Sequence, residues 1–247
     1  MVPWEVRLLG RPEARRGDDV AHLRSRLAWA LLAALRHPAG VARHTLVERF
    51  WPDTDHGRVS LRLAVKSLRD TFGPEVVSEH AGRLILNRAG LDLDLDRIES
   101  ADAATDPDER RRLLQEIDPL LDGELLDGCD DPDASVVRWI GGERARWNER
   151  GARLLNEIAA HREADRDPHA AFDALRRSLR LAPEDADAWE RAWRLGKQIG
   201  RTPDTQALQR TLTFSEAIAR ARAREVAGRR PSLRESRAFE ELLLQRM

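Results

Sequence analysis

This chain has no tyrosine and very little cysteine or lysine. A single cysteine, Cys129, stands among 247 residues, which excludes an internal disulfide framework and suits a reducing compartment. No local signature surrounds Cys129, so its expected role is a small buried residue or an idle thiol. Tyrosine is absent and lysine occurs twice, which makes the positive surface an arginine surface. No stretch approaches eighteen uninterrupted apolar residues, and "MVPWEVRLLG" has no basic segment followed by a long apolar run. Neither a membrane span nor export is therefore expected, and a cytoplasmic location is.

The chemical signatures of an enzyme are missing as well. There is no G-x-S-x-G and no GxxxxGK[ST] phosphate loop, and the seven histidines show no metal-ligand spacing. The alternation "LDLDLDRIES" at residues 91 to 100 has neither the glycine nor the terminal glutamate of an EF-hand loop. It reads as a joint between two parts of the chain. No catalytic residue, metal ligand or cofactor is expected.

What is present is a charge gradient hidden under a net charge of -1. Residues 1–90 hold 15 Lys+Arg against 10 Asp+Glu, whereas residues 91–247 hold 27 against 33. A modestly basic first part and an acidic second part would orient the chain on a polyanion.

The first part reads as strands, three helices and a closing hairpin. "WEVRLLG" and "PEARRGDDVAHL" alternate apolar and polar residues around Gly10, Pro12 and "RGDD", the pattern of a small antiparallel meander. "RSRLAWALLAALRHP" spaces Leu27, Leu31, Ala34 and Leu35 as a helix ended by Pro38, and "RHTLVERFWP" is a short helix closed by Pro52, with Gly40 and Val41 filling the gap between them. After the third helix, Gly73-Pro74 stops the chain and "EVVSEHAGRLILN" folds back around Gly82 as a hairpin.

The third helix, "RVSLRLAVKSLRDTF", carries the chemistry. At about 100° per residue, Leu61, Val65, Leu68 and Phe72 fall within roughly 60° of one another and form a packing face. Arg58, Arg62, Lys66 and Arg69 gather on a neighbouring arc of roughly 80°. Such a stripe suits a solvated surface as well as a reading head, and its neighbours decide. The order of elements is that of a winged helix, whose second and third helices form a helix-turn-helix with the third in the major groove.

Beyond residue 98 the sequence reads as helical. Asp167-Pro168 and Thr202-Pro203 stand 35 residues apart, and Leu155 and Trp189 stand 34 apart, close to the period of tetratricopeptide helix pairs. Trp139, Trp147, Trp189 and Trp193 are expected as buried anchors of that stacking rather than as an aromatic ligand cage. The expected fold class is an α+β winged helix over residues 1–98 followed by an all-α, tetratricopeptide-like domain over residues 99–247, mainly α overall.

Together the two halves resemble the antibiotic-regulatory-protein (SARP) type of bacterial transcription activator. The resemblance rests on "VRLLGRPEARRGDD", "LAWALLAALRHPAGVARHTLVERFWPD" and "RVSLRLAVKSLRDTFG" in the first half, and on "VVRWIGGERARWNERGARLL", the helical repeat and "RRPSLRESRAFEELL" in the second. It implies a winged helix of the response-regulator type joined to a bacterial transcriptional activation domain, acting at the nucleoid. Carried over by position, it implies that Arg58, Arg62, Lys66 and Arg69 face double-stranded DNA, with Ser60 a lesser candidate. Arg43 and Thr45, opening the second helix, would touch phosphates, Arg83 would be the wing contact, and Trp51 would stay in the core. It also implies RNA polymerase as a partner and a homodimer on DNA.

The departures from the family are Ser67 and Asp70 where further basic residues are usual, and Glu79 in the wing. The ATPase or phosphopeptide-binding module that such regulators often add is not expected within these residues. The competing reading is an interaction scaffold, in which a degenerate winged helix and a helical array bind proteins and no DNA.

Overall fold

The computed structural model describes residues 2–21, 23, 25–52, 56–129 and 134–201. The expected repeat from Thr202 onward, including Thr202-Pro203, and the ending "RRPSLRESRAFEELL" lie outside the described residues. The chain packs as two compact units, Met1–Leu154 and Leu155–Met247.

The first unit opens with β1 (Trp4–Arg7), β2 (Glu13–Arg16) and β3 (Asp19–Val20), an antiparallel meander. In β1 the alternation decides the faces: Trp4 and Val6 are buried while Glu5 and Arg7 are exposed. Next come α1 (Arg26–Ala34), β4 (Val41–Ala42), α2 (Arg43–Phe50) and α3 (Gly57–Phe72). The hairpin β5 (Val77–His80) and β6 (Arg83–Leu86) follows, and β4 pairs with β6, so that the wing is a three-stranded sheet in the order β4-β6-β5. Val41, expected as filler, is thus the first residue of a strand. The wing turns at Ala81 (φ 48°) and Gly82 (φ 72°), two successive left-handed residues whose twist matches that of the flanking strands.

The expected joint at 91–100 is structured. Leu91–Leu93 forms β7, which lies parallel to β1 and completes a sheet of order β3-β2-β1-β7, and Asp94–Ala103 forms α4. Leu91 and Leu93 point into the core and Asp92 does not, so the alternation is that of a strand with one buried face. Asp94 is buried. One of its carboxylate oxygens accepts from the amides of Leu8 and Leu9, both at 2.8 Å, and the other from Leu95 at 2.8 Å. Burial pushes its pKa above the usual carboxylate range, against the pull of those amides and of Arg36.

The unit continues with α5 (Pro107–Ile117), whose N-cap Asp106 accepts from Glu109 at 2.8 Å, and then with an extended segment that docks on the end of β1. Gly10 donates to Glu124 at 2.8 Å, Leu126 to Leu8 at 2.8 Å and Asp127 to Gly10 at 3.0 Å. The crossing is so tight that a Cβ on Gly123 would lie 2.2 Å from the Gly10 nitrogen. Cys129, just beyond, is buried.

Helix α6 (Ala134–Ala164) belongs to the first unit up to Leu154. Within that unit the Trp139 ring meets Phe50 of α2 edge-on at 5.0 Å, and Trp147 lies buried between the guanidiniums of Arg36 and Arg150 at 5.4 and 5.0 Å. A row of ion pairs runs beside it. Arg36 binds Asp96 at 2.6 Å and Glu99 at 2.5 Å, while Arg150 reaches Glu99 and Asp102 at 3.1 and 3.2 Å. Arg153 grips both oxygens of Asp102 at 2.7 and 2.9 Å, and this bidentate bond holds the Asp102 carboxyl below the usual range.

In the second unit, α7 (Pro168–Leu181) and α8 (Ala186–Ile199) pack on each other and are capped by Asp167 and Asp185. Phe172, Leu175 and Leu179 are buried on α7, and Ala188, Ala192 and Leu195 on α8. Trp189 is half-buried and donates to the Pro183 carbonyl at 3.0 Å. Trp193 departs from expectation: it is 44% exposed, with Lys197 over its ring at 5.4 Å, because the buried stripe of α8 is Ala188, Ala192, Leu195 and Gly196 and Trp193 falls outside it. His161 is half-buried in the last turn of α6, and His169 is exposed in the first turn of α7.

Candidate nucleic-acid interface

Three features seat α3. Its buried stripe is Leu61, Ala64, Val65 and Leu68, with Phe72 half-buried and edge-on to Trp4 and Trp29 at 5.7 and 6.4 Å. Its first residue is Gly57, where a Cβ would fall 2.8 Å from Val47 and 3.0 Å from Trp51, so glycine allows α3 to start directly against α2. Trp51 itself is buried at 8% exposure and edge-on to Phe50, the core position expected of it. Burying three large aliphatic side chains at about 1.5–3 kcal/mol each fixes which side of the helix faces water.

The outward side is then set by helical geometry. Val59, Leu63, Lys66 and Asp70 are exposed opposite the buried stripe, and Arg58, Arg62 and Arg69 line one flank. Arg62, Lys66, Arg69 and Asp70 border a shallow groove with Arg43 of α2 and Pro74. Four of the residues singled out from sequence thus converge on one concave surface. Ser60 lies elsewhere, half-buried in a recess with Ser25, Leu27, Trp51 and Ser67 on the opposite flank of α3. Thr45 is half-buried in the first turn of α2.

The cations differ in what already holds them. Among the described residues, Arg58 and Arg62 have no ion-pair or hydrogen-bond partner. Lys66 is paired with Asp70, one helical turn on, and Arg43 with Glu79 at 2.9 Å. Arg69 donates from Nε and Nη2 to the Val77 carbonyl at 3.0 and 2.7 Å, which ties α3 to β5. Arg83 donates to the carbonyls of Ala39 and Gly40 at 2.8 and 2.7 Å. Of the five N–H donors on a guanidinium, Arg69 and Arg83 have committed two each. The Arg43 amide donates to Gly82 at 3.0 Å, so the wing turn occupies one of the free amides at the start of α2.

Two neighbours went unnoticed in the sequence. Val59 and Leu63 stand 180° from the packing face, a position that the same helical wheel contains. Glu79, noted there as a departure in the wing, turns out to be the partner of Arg43, and no local spacing connects residues 36 apart. Among the described residues, no group of three or more His, Cys, Asp or Glu side chains is placed to hold a metal ion, and no helix is long and apolar enough to cross a membrane.

The folded class is therefore a winged helix followed by helices, with a helix-turn-helix whose second member is presented to solvent. Among solved structures, the chain is similar to EmbR of Mycobacterium tuberculosis, seen in complex with a low-affinity phosphopeptide: TM-score 0.56 and 17% identity, covering 100% of this chain and 66% of that one. The fold expected from the sequence resemblance is the fold found. No protein-family model matches the sequence, and no curated protein does.

Proposed function

We propose that this chain is a sequence-specific regulator of transcription that binds double-stranded DNA, with α3 in the major groove. The observation that carries the reading is the presentation of α3: a helix locked by a buried stripe, with Arg58 and Arg62 unpartnered on an exposed flank beside a cationic groove. Arginines held this way make bidentate contacts to guanine O6 and N7. Arg43, Lys66 and Arg69, with Thr45 at the start of α2, contact phosphates and fix register. Arg83 anchors the wing against the Ala39–Gly40 backbone and keeps donors for the sugar-phosphate chain. Ser60, on the far flank, contributes least.

The family resemblance supports the remaining parts of the reading. The winged helix corresponds to residues 1–98 and the activation domain to residues 99–247, which holds copies together on repeated sites and contacts RNA polymerase. The protein acts as an activator in the cytoplasm, without catalysis of its own.

One set of observations favours the scaffold instead: Asp70 and Glu79 neutralise Lys66 and Arg43, and apolar side chains occupy the centre of the outward face. Selection from a randomised DNA library with the purified chain separates the two. A regulator enriches a sequence, binds it with a negative log-log salt slope, and loses at least tenfold in affinity on Arg62→Ala. A scaffold enriches none.

A further inference from the structure

The six large apolar side chains left exposed among the described residues are Val2, Val20, Val59, Leu63, Val137 and Trp193. Single exposed apolar residues need no explanation. Val59 and Leu63 are different, because they stand one turn apart on the same helix, at 46% and 62% exposure, at the centre of the face that α3 turns to solvent. A surface helix under no other demand fills such positions with polar residues.

Each follows an arginine. The sequence "RVSLRL" repeats an arginine-apolar pair at an interval of four, Arg58-Val59 and Arg62-Leu63, and both arginines lack partners among the described residues. Each pair offers a forked cation and, about 100° further round the helix, an aliphatic end. The major-groove edge of DNA has one base that answers each part: guanine accepts twice from an arginine, and thymine presents the only methyl group there. Four residues rise about 6 Å along a helix, roughly two base steps of 3.4 Å. Two such pairs therefore fit two successive sites of readout without crowding.

We propose that Val59 and Leu63 are specificity-determining residues that select thymine by contact with its C5-methyl group, next to guanines taken by Arg58 and Arg62. The inference rests on the regulator reading above and names what that site prefers. Charge complementarity identifies the occupant: an apolar pair framed by free guanidiniums suits a polyanion with methyl groups in its groove better than an apolar protein surface, which would leave Arg58 and Arg62 desolvated and unpaired.

Uracil replaces thymine with loss of the methyl alone and leaves every hydrogen-bonding group in place. On the duplex recovered by selection, each thymine is replaced singly by deoxyuridine, and affinity is measured for the wild type, Val59→Ala and Leu63→Ala. Burying one methyl-sized group is worth about fourfold in affinity. The wild type is expected to lose about fourfold at one or two thymines, and each alanine variant to become indifferent at the thymine that its missing side chain served. Alanine suits an exposed helix position, and the far-ultraviolet circular dichroism of both variants checks that the fold persists. An enriched site whose affinity ignores every uracil overturns the inference and leaves the regulator standing. Equal uracil penalties in the wild type and both variants also overturn it, because something other than these side chains then senses the methyl. If no site is enriched, the regulator reading falls first, and the apolar pair belongs to a protein-binding face.

Discussion

On the proposed DNA-binding reading, Glu79 and Asp70, which pair with Arg43 and Lys66, compete with phosphate for those cations, and removing them should strengthen DNA binding by a calculable amount. The Arg43–Glu79 pair spans 2.9 Å with side chains 35% and 43% exposed, and Lys66 and Asp70 are 66% and 60% exposed. Pairs this wet are worth about 0.2–1 kcal/mol, so a phosphate displaces the carboxylate at that cost. With glutamine at position 79 the cost disappears, and affinity should rise about 1.5- to 5-fold. Asn at position 70 should act alike. The stronger signature is in salt. A cation already neutralised by its own carboxylate contributes little to counterion release, whereas a freed one steepens the log-log slope by about 0.9. Fluorescence anisotropy on the selected duplex, at four or five salt concentrations, reads both quantities. For the double variant Glu79→Gln/Asp70→Asn the slope should steepen by about 1.8 in total, with the urea midpoint nearly unchanged because the lost pairs are exposed. A slope equal to that of the wild type would refute the placement of Arg43 and Lys66 against phosphate.

Asp70→Arg goes further in the same direction and should strengthen binding to every duplex alike, selected or scrambled, because it adds phosphate attraction and no base contact; a gain confined to the selected duplex contradicts it. Gly123→Ala should cost about 1–3 kcal/mol in urea unfolding, since its Cβ meets the Gly10 backbone and nothing there is a flexible side-chain end; an unchanged midpoint refutes the tight crossing. Ala81→Asn should raise stability by about 0.5–1 kcal/mol, because asparagine tolerates the left-handed conformation that the wing turn imposes on Ala81. Asp102, held below its ordinary pKa of 3.8 by Arg153, supplies stability that is complete above that value and is lost as pH falls through the lower folded-state value. The destabilisation measured for Arg153→Ala should accordingly be larger at about pH 7 than at about pH 3, and an equal loss at both would show that Arg153 acts through packing.

How much of this was readable in advance follows from where each signal resides. The packing face of α3 was legible because Leu61, Val65 and Leu68 repeat at helical spacing, and so was the wing, whose turn is marked by Gly82 between two apolar runs. The strand at Leu91–Leu93 was not, because its pairing partner is β1, about ninety residues earlier, and because aspartate beside every leucine resembles a polar linker until Asp94 is seen to take the amides of Leu8 and Leu9. Trp193 misled by chemistry: a tryptophan in an amphipathic helix suggests burial, yet Ala192 and Leu195 hold the inner stripe and leave it outside. At the candidate interface the arginines were visible as a stripe. Which of them were free was not, since Val77, Ala39, Gly40 and Glu79 come from other segments.

The edge-on meeting of Phe50 with Trp139 has a practical consequence for anyone making fragments of this protein. A gene trimmed to the first 98 codons would strip Phe50, the last residue of the first helix of the helix-turn-helix, of its aromatic neighbour. A stop codon after Leu154 keeps that ring clothed.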